Sequence, residues 1–467
     1  MSKKTPAEEL KEKLFYSPKH ANYVCSADEI KKADKFCEEY IAFLNACRTE
    51  REAAAWTVGE AKKNGYKEFK AGGKYKAGDK VYYVVQDKSV ILCTFGKKSV
   101  AKGVRIAAAH IDSPRLDLKP NPLYEDEELA LFKTHYYGGI KKYQWPTVPL
   151  SLHGVIMKKG GEKVTVRIGD EEGDPVFVVT DLLPHLDRQQ ADRPMTKVIK
   201  GEELNILIGS RPFGNEPSDK AVKLSIMKIL NEKYGIIESD FLSAELEAVP
   251  AFPAKDVGFD RSLIGSYGHD DRVCAYPALR ADFAVKKPEY TTVTVLTDKE
   301  EVGSDGNTGL QSAYLEQFIA DLGALEGVPG RDVLRNSECL SADVNAGFDP
   351  TFAQAFEKMN SAFLNKGIVL TKYTGAGGKG GTNDAGAEYV SEIREIFDAA
   401  KVVWQTGELG KVDEGGGGTV AKYIANLGVK VVDVGVPVLS MHAPYEIVAK
   451  TDVYMAFKGF KAFYDAK

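Results

Sequence analysis

The spacing of apolar residues predicts one long helix near the start of the chain and a group of strands after it. From Asp28 onward apolar side chains recur at three- and four-residue steps, at Ile30, Ala33, Cys37, Ile41, Leu44 and Cys47. This is the period of an amphipathic helix, and the pattern predicts that the helix continues through EAAAW towards Asn64. KVYYVV and SVILCTF flank a short QDK turn and predict a hairpin, while GVRIAAAH predicts a strand covered on both faces.

The remainder of the chain shows two different patterns. Residues 121–250 contain many turns, short alternating strands and a helical stretch in PSDKAVKLSIMKILNEKYG, so we expect an inserted, mostly β domain there. From residue 251 apolar strands alternate with helices, as in TTVTVL, GLQSAYLEQFIADLGAL, CLSADV, SEIREIFDAAKVV and KVVDVGVPVLSMH. This alternation predicts an α/β domain formed by residues 1–120 and 251–467, interrupted by the insertion at 121–250.

Composition narrows the classes of function. The chain has 467 residues, of which 43% are hydrophobic and 28% charged, as in ordinary soluble globular proteins. A net charge of −5 and a pI near 6.0 give no general attraction to nucleic acid or anionic lipid. No signal peptide and no apolar run of about 18 residues is visible, so we expect a cytoplasmic protein without nucleic-acid or membrane partners. The six cysteines form no CxxC pair, which predicts that any metal is held by oxygen and imidazole.

The informative polar residues stand where apolar strands stop. Ligands of open α/β sheets bind at the carboxyl ends of the strands, so such residues from several strands are expected to converge on one site. Another carboxylate, in SYGHDDRVCAYPAL, lies just before a predicted helix. The residues of this set are His110 and Asp112 after VRIAAA, Asp270 in SYGHDDRVCAYPAL, Glu300 and Glu301 after TTVTVLTDK, Asp343 after CLSA, and His442 after VVDVGVPVLSM.

These residue types suit a pair of zinc sites in which one carboxylate bridges the ions. Two divalent ions that share a water are a known arrangement in hydrolases, including aminopeptidases. The adjacent glutamates then take different roles, because one can bind metal while its neighbour accepts the proton of the water as general base. Asp112, close to His110 in the chain, is placed to orient that imidazole or to stabilise the bridging ligand from outside. Asp271 is explained equally well as a helix N-cap whose negative charge stabilises the first turn or as part of the site.

The chain resembles the aspartyl aminopeptidase family of dinuclear-zinc metallopeptidases. The resemblance is carried, in the family's order, by AAHIDSPRLDLKPNPLYE, SYGHDDRVCAYPAL, LTDKEEVGSDG, CLSADV and SMHAPYE, and more faintly by YSPKHANYV and YYGG. It reaches from near residue 16 to the C-terminus. It implies a mixed-sheet α/β zinc-peptidase domain with an inserted, mostly β dimerisation domain, and a homo-oligomer built from dimers, commonly a dodecamer.

The resemblance also implies a role for each site residue. His110 and Asp343 would hold one zinc, Glu301 and His442 the other, and Asp270 would bridge them. Glu300 would be the general base and Asp112 the partner of the metal ligands. Cobalt or manganese can stand in for zinc in such sites. The implied reaction is the removal of N-terminal residues, acidic ones in the family's name, from peptides with a free N-terminus.

Two stretches depart from the family's usual pattern. In YYGGIKKYQWPTVPLSLHG the histidine that family members supply across a subunit interface has no clear counterpart, and His153 or His135 are the candidates. LTKYTGAGGKGGTNDAGAEYV also differs, which puts the side-chain preference in doubt; Lys372 is a candidate partner for an acidic side chain. Lys379 is followed by Gly380, so GAGGKGG lacks the Ser or Thr of a phosphate-binding P-loop and is better explained by close backbone approach to substrate or a neighbouring subunit.

Other functions remain compatible with the same residues. A dinuclear carboxypeptidase or N-deacylase would use much the same ligands but would cleave N-blocked substrates. A catalytically silent scaffold of the same fold is a further alternative, and the presence of Glu300 disfavours it because a binding protein needs no general base.

Overall fold

The structure is a computed structural model and describes residues 4–467. Its helices are α1 (Pro6–Leu14), α2 (Ala21–Val24), α3 (Ala27–Ala46), α4 (Glu50–Lys63), α5 (Arg188–Ala191), α6 (Ala221–Tyr234), α7 (His269–Ala284), α8 (Tyr314–Ala324), α9 (Gly330–Arg335), α10 (Ala387–Ala399), α11 (Ala421–Ala425) and α12 (Lys450–Asp465). Within the described residues, none of these helices is long and apolar enough to cross a lipid bilayer.

The strands form two large sheets and two small ones. They are β1 (Lys67–Glu68), β2 (Lys80–Val85), β3 (Ser89–Thr94), β4 (Arg105–His110), β5 (Arg115–Asp126), β6 (Leu129–Tyr137), β7 (Leu150–Met157), β8 (Lys163–Ile168), β9 (Val178–Val179), β10 (Ile206–Gly209), β11 (Ala244–Pro250), β12 (Lys255–Val257), β13 (Leu263–Ser266), β14 (Thr292–Thr297), β15 (Glu338–Ala342), β16 (Asn345–Ala346), β17 (Ile368–Thr371), β18 (Trp404–Thr406), β19 (Lys430–Gly435), β20 (Pro437–Val438) and β21 (Glu446–Ala449).

A nine-stranded mixed sheet, in the order β1-β2-β3-β14-β4-β15-β19-β17-β18, forms the centre of the first unit. The four strands β14, β4, β15 and β19 run parallel to their neighbours within this group. β4 is buried along its whole length because helices cover both faces of the sheet: Ala107 and Ala109 pack with α3, α7 and α12, and Ile106 and Ala108 pack with α8 and α11. The α/β fold class and the doubly covered strand predicted from GVRIAAAH are confirmed.

The first long helix is interrupted, so the prediction of one continuous helix to Asn64 is wrong. α3 ends at Ala46 and α4 begins at Glu50, where Thr49 caps the new helix and its partner Glu52 completes a capping box. Arg272 is fully buried at this break and donates to the carbonyls of Cys47 and Arg48 at 2.9 and 2.8 Å. The guanidinium thereby satisfies backbone acceptors that a continuing helix would have used itself.

A seven-stranded sheet forms the second unit, in the order β8-β7-β11-β5-β6-β10-β9. Its pairs are antiparallel, and its core contains the buried side chains of Trp145, Leu150 and Phe241, with α6 packed against it. The sheet begins with β5 at Arg115 and ends with β11 at Pro250. The domain boundaries at 121 and 250 stay a prediction.

Candidate metal centre

The parallel strands of the nine-stranded sheet carry polar residues to one edge. His110 is the last residue of β4 and pairs in register with Thr297, the last residue of β14. Glu300 and Glu301 form a short 3-10 turn just beyond β14, and Asp343 follows β15 directly. The buried apolar strands fix this register, since a slip of one residue would turn each side chain to the opposite face.

Two groups of three side chains meet at this edge and share one carboxylate. In the first group, His110 Nε2 lies 3.1 Å from Asp270 Oδ1 and 3.8 Å from Asp343 Oδ1. In the second group, His442 Nε2 lies 3.2 Å from Asp270 Oδ2 and 3.4 Å from Glu301 Oε2. Within each group the ligand atoms all lie within 4.8 Å of one another. Asp270, at the start of α7, therefore presents one oxygen to each group.

The donor set fits divalent cations of the zinc type. Imidazole nitrogen and carboxylate oxygen are ligands that zinc accepts, at about 2 Å from the ion. Both histidines direct their Nε2 atoms at the carboxylates of their groups, because His110 Nδ1 donates to the Asp112 carbonyl at 3.0 Å and His442 Nδ1 donates to the Gly139 carbonyl at 2.8 Å. Glu301 Oε1 is buried and has no hydrogen-bond partner among the described residues.

Electrostatics point to the same conclusion. Burial, followed by the charge of Asp270, raises the pKa of Glu301 well above its usual range, and burial together with Asp271 does the same to the pKa of Asp343. Burial lowers the pKa of His442, but the hydrogen bond to Asp270 and the charge of Glu301 outweigh it and bring that pKa to about 10. The carboxylates therefore stabilise positive charge at this place, which a divalent ion supplies in exchange for protons.

Glu300 lies beside both groups without belonging to either. Its Oε2 is 3.9 Å from His110 Nε2, and its side chain is 17% exposed. Burial, with a further contribution from the charges of Asp112 and Asp270, raises the pKa of Glu300 to about 7. A carboxylate with such a pKa can both accept and return a proton near neutral pH.

Asp112 connects the end of β4 with the glutamate turn. Its Oδ1 and Oδ2 accept the backbone N–H groups of Glu300 and Glu301, each at 3.2 Å. His110 Nδ1 lies 3.3 Å from Asp112 Oδ1, farther than from the Asp112 carbonyl, so the carbonyl is the principal acceptor of that N–H. Asp112 thus orients the imidazole mainly through its backbone and the glutamate turn through its carboxylate.

Glu446 contacts the candidate site and was not predicted from the sequence. Its Oε1 accepts the backbone N–H of His442 at 2.8 Å, and its Oε2 accepts the backbone N–H of Asp270 at 3.2 Å. One buried carboxylate therefore holds the main chain of two candidate ligands from different elements. The only sequence indication was that Glu446 lies in the segment SMHAPYE. An acidic residue at the start of a strand does not by itself predict such backbone contacts.

Four of the donor residues, Asp270, Glu301, Asp343 and His442, line a cavity of about 450 Å³ together with Glu300. Glycine backbone forms part of its wall at Gly416, Gly417 and Gly418, where close approach replaces side-chain contact. Lys422 is the one Lys or Arg among the described residues that line this cavity. Its Nζ lies 4.8 Å from the ring centre of Tyr423, which also lines the cavity. Lys422 was not recognised from the sequence because a lysine on a short helix after glycines has no distinguishing pattern.

The sequence candidates for substrate contact lie outside this cavity. Lys372 is exposed and lines a neighbouring cavity with Tyr373 and Glu408. His153 is fully buried in β7, between Ser151 Oγ at 2.9 Å and Glu52 Oε1 at 2.8 Å. Its imidazole is fully buried and joins β7 to α4, and its role as a substrate contact stays a prediction. His135 is exposed on β6.

Comparison with known proteins gives one consistent family. Residues 43–464 match the family model described as aminopeptidase I zinc metalloprotease (M18). The probable M18 family aminopeptidase 1 of Clostridium acetobutylicum is 51% identical over 443 residues, which are 93% of this chain and 95% of that protein.

Solved structures agree in fold. The crystal structure of the M18 family aminopeptidase from Thermotoga maritima has a TM-score of 0.93 and 40% identity, covering 97% of this chain and 100% of that one. The structure of the S. cerevisiae mApe1 dodecamer has a TM-score of 0.75 at 20% identity, with 93% and 97% of the two chains covered, and shares the fold.

Proposed function

The chain belongs to the M18 family of zinc metallo-aminopeptidases, and from this premise we propose that it removes N-terminal residues from peptides at a dinuclear metal centre with Glu300 as general base. The observation that carries the proposal is the pair of donor groups that share Asp270. A single catalytic ion would need only one such group.

His110 and Asp343 would hold one ion in this proposal, Glu301 and His442 would hold the other, and Asp270 would offer one carboxylate oxygen to each. Zinc is the expected metal, with cobalt or manganese as substitutes. When bound, the ions polarise the scissile carbonyl and lower the pKa of the attacking water.

Glu300 accepts the proton of the attacking water and then delivers it to the leaving amine. Its raised pKa, about 7, supports both steps because the group must be basic first and acidic afterwards. Asp112 keeps Glu300 in place through the backbone N–H that it binds at 3.2 Å. Water and peptide reach Glu300 through the cavity that the donor groups line.

Substrate preference depends on the charges of this cavity. Lys422 is its lining cation, so we propose an acidic N-terminal side chain as the favoured one, as in the aspartyl aminopeptidases that the sequence resembles. Lys372 is the second candidate, from a separate cavity that Glu408 also lines. A charged hydrogen bond of this kind contributes about 2 kcal/mol, so the preference should exceed roughly tenfold.

The test is hydrolysis of free-amine aminoacyl amides with acidic, basic and aliphatic side chains, after chelation and after addition of zinc, cobalt or manganese. Metal-restored cleavage supports the aminopeptidase. If Lys422→Met loses the preference for acidic side chains but still cleaves the other amides, Lys422 selects the substrate. Lys372→Met is the matched variant and tests the second candidate in the same way. Cleavage restricted to N-blocked substrates would instead identify a carboxypeptidase or N-deacylase. No cleavage with any metal would favour the scaffold.

We also propose a cytoplasmic homo-oligomer built from dimers. The dodecamer of S. cerevisiae mApe1, which has the same fold, supports a search for an assembly of that size. The negative net charge of −5 gives no reason to expect nucleic acid or membrane lipid as partners.

A further inference from the structure

The segment Tyr137–Gly139 leaves the seven-stranded sheet at the end of β6 and contacts the metal centre of the other sheet. The Tyr137 hydroxyl donates to Asp112 Oδ2 at 2.8 Å. The Gly139 carbonyl accepts the Nδ1 hydrogen of His442 at 2.8 Å. One short segment therefore contacts both Asp112, which supports the first donor group, and His442, a candidate ligand of the second.

The hydrogen bond from Tyr137 is the shortest one that the Asp112 carboxylate accepts. The backbone N–H groups of Glu300 and Glu301 lie at 3.2 Å. Oδ2 receives the donors from Tyr137 and Glu301 together, and Asp112 is fully buried, so water cannot replace the hydroxyl without a rearrangement. Without this hydroxyl the Asp112 carboxylate would lose its shortest hydrogen bond and would be held less rigidly.

Tyr137 is itself held in place by an ion network. The guanidinium of Arg115 lies 3.8 Å from the ring centre of Tyr137. Arg115 in turn contacts Asp117 at 2.8 Å and Glu247 at 3.2 Å, both on strands of the seven-stranded sheet. It also contacts Glu50 of α4 at 3.3 Å. The ring is 7% exposed, so its hydroxyl is directed by packing.

Gly138 allows the segment to pass so close to the metal centre. Its φ is +77°, and a Cβ added there would lie 3.4 Å from both Cβ and Oε2 of Glu301. The backbone thus passes beside a candidate ligand between the two hydrogen-bonded positions, in a conformation that favours glycine. The segment is positioned to support both donor groups at once.

We propose that Tyr137 is a positioning residue for the metal centre, which acts through Asp112 and makes metal affinity depend on the seven-stranded unit. Asp112 transmits the effect, because its carboxylate holds the glutamate turn and its backbone holds His110. This inference concerns metal binding, so it is tested without substrate and stands or falls separately from the peptidase reaction.

The test is Tyr137→Phe, which removes one oxygen atom and keeps the ring over Arg115. Tyr136→Phe is the matched control, since Tyr136 is the adjacent residue of β6 and its hydroxyl makes no hydrogen bond within the described residues. Zinc affinity is measured by competition with a chelator, and the visible spectrum is recorded for the cobalt-loaded protein. We expect Tyr137→Phe to bind at least one ion about tenfold more weakly with an altered cobalt spectrum, and Tyr136→Phe to match wild type.

A double-mutant cycle with Asp112→Ala, which removes the acceptor of the Tyr137 hydroxyl, separates positioning from general loosening of the fold. If Tyr137 acts through Asp112, adding Tyr137→Phe to Asp112→Ala changes zinc affinity by less than about twofold. An equal tenfold loss in that background would overturn the proposal, because the hydroxyl would then act by another route. Unchanged zinc affinity in Tyr137→Phe alone would overturn it as well.

Discussion

The two donor groups share Asp270 but differ in how they are built. His110 and Asp343 lie at the ends of neighbouring parallel strands in the middle of the nine-stranded sheet, and the His110 side chain is 1% exposed. His442 lies in a loop with a φ of +64°, and its side chain is 33% exposed. The first group is fixed by the sheet itself, whereas the second depends on outside support.

That support comes from separate parts of the chain. Glu446 accepts the backbone N–H of His442, and the carbonyl of Gly139, just beyond β6, accepts its Nδ1 hydrogen. A non-glycine residue in the left-handed region is unfavourable by itself, so these contacts must hold it. In the proposed pair, the ion at His110 and Asp343 would therefore be held by the ends of sheet strands. The ion at Glu301 and His442 would depend on contacts between the two sheets' units.

Stepwise chelation gives the largest expected difference between the groups. The ion at Glu301 and His442 should leave first, with an affinity about 10- to 100-fold weaker than that of the ion at His110 and Asp343. Zinc release into a coloured chelator should therefore show a fast and a slow phase in wild type. His442→Ala should lack the fast phase and retain the slow one.

His110→Ala is the matched variant for this comparison, and it should lose the slow phase instead. Release of both ions in one phase from wild type, or loss of the slow phase in His442→Ala, would contradict the unequal construction of the two groups.

The pH dependence of turnover is the smaller effect and concerns Glu300, which stands beside both groups. Burial raises its pKa to about 7, and bound cations lower it again, so the acid limb should lie at or below that value. A protonated Glu300 cannot accept the proton of water, so activity falls as pH decreases, by about tenfold per unit below the limb.

The profile is measured as kcat/KM in excess zinc, so that metal loss at low pH does not imitate the limb. The residual activity of Glu300→Gln is the control and should lack this limb. The same acid limb in Glu300→Gln would remove Glu300 as the titrating base, because a glutamine side chain does not titrate in this pH range.

Much of this arrangement could be predicted from sequence because buried strands have a simple signature. The run IAAA at residues 106–109 is wholly apolar, and both faces of β4 are covered, so the end of the strand was visible as a change from apolar residues to His110. Asp343 after CLSA followed the same rule. In each case one local pattern, an apolar strand followed by a polar residue, predicts both the burial of the strand and the position of the site.

The remaining features depend on packing between residues that are distant in sequence, which limited their prediction. The break before Glu50 was hidden by continuous apolar spacing, although the T-x-x-E of Thr49 and Glu52 was a readable capping signal. The roles of Tyr137 and Glu446 depend on contacts with residues distant in sequence, which no local period encodes. His153 could not be assigned from the sequence, because a strand histidine that binds substrate has the same local pattern as one that contacts a partly buried glutamate such as Glu52.

The most direct test of the central claim is the metal content and turnover of Glu300→Gln. This side chain keeps its size and is not among the donor groups, so we expect the same zinc content as wild type, two ions per chain, with kcat reduced by about 10²- to 10⁴-fold. Glu316→Gln, an exposed position on α8, is the matched control and should keep both. Wild-type kcat in Glu300→Gln, or loss of its zinc, would contradict the assignment of Glu300 as a general base separate from the metal ligands.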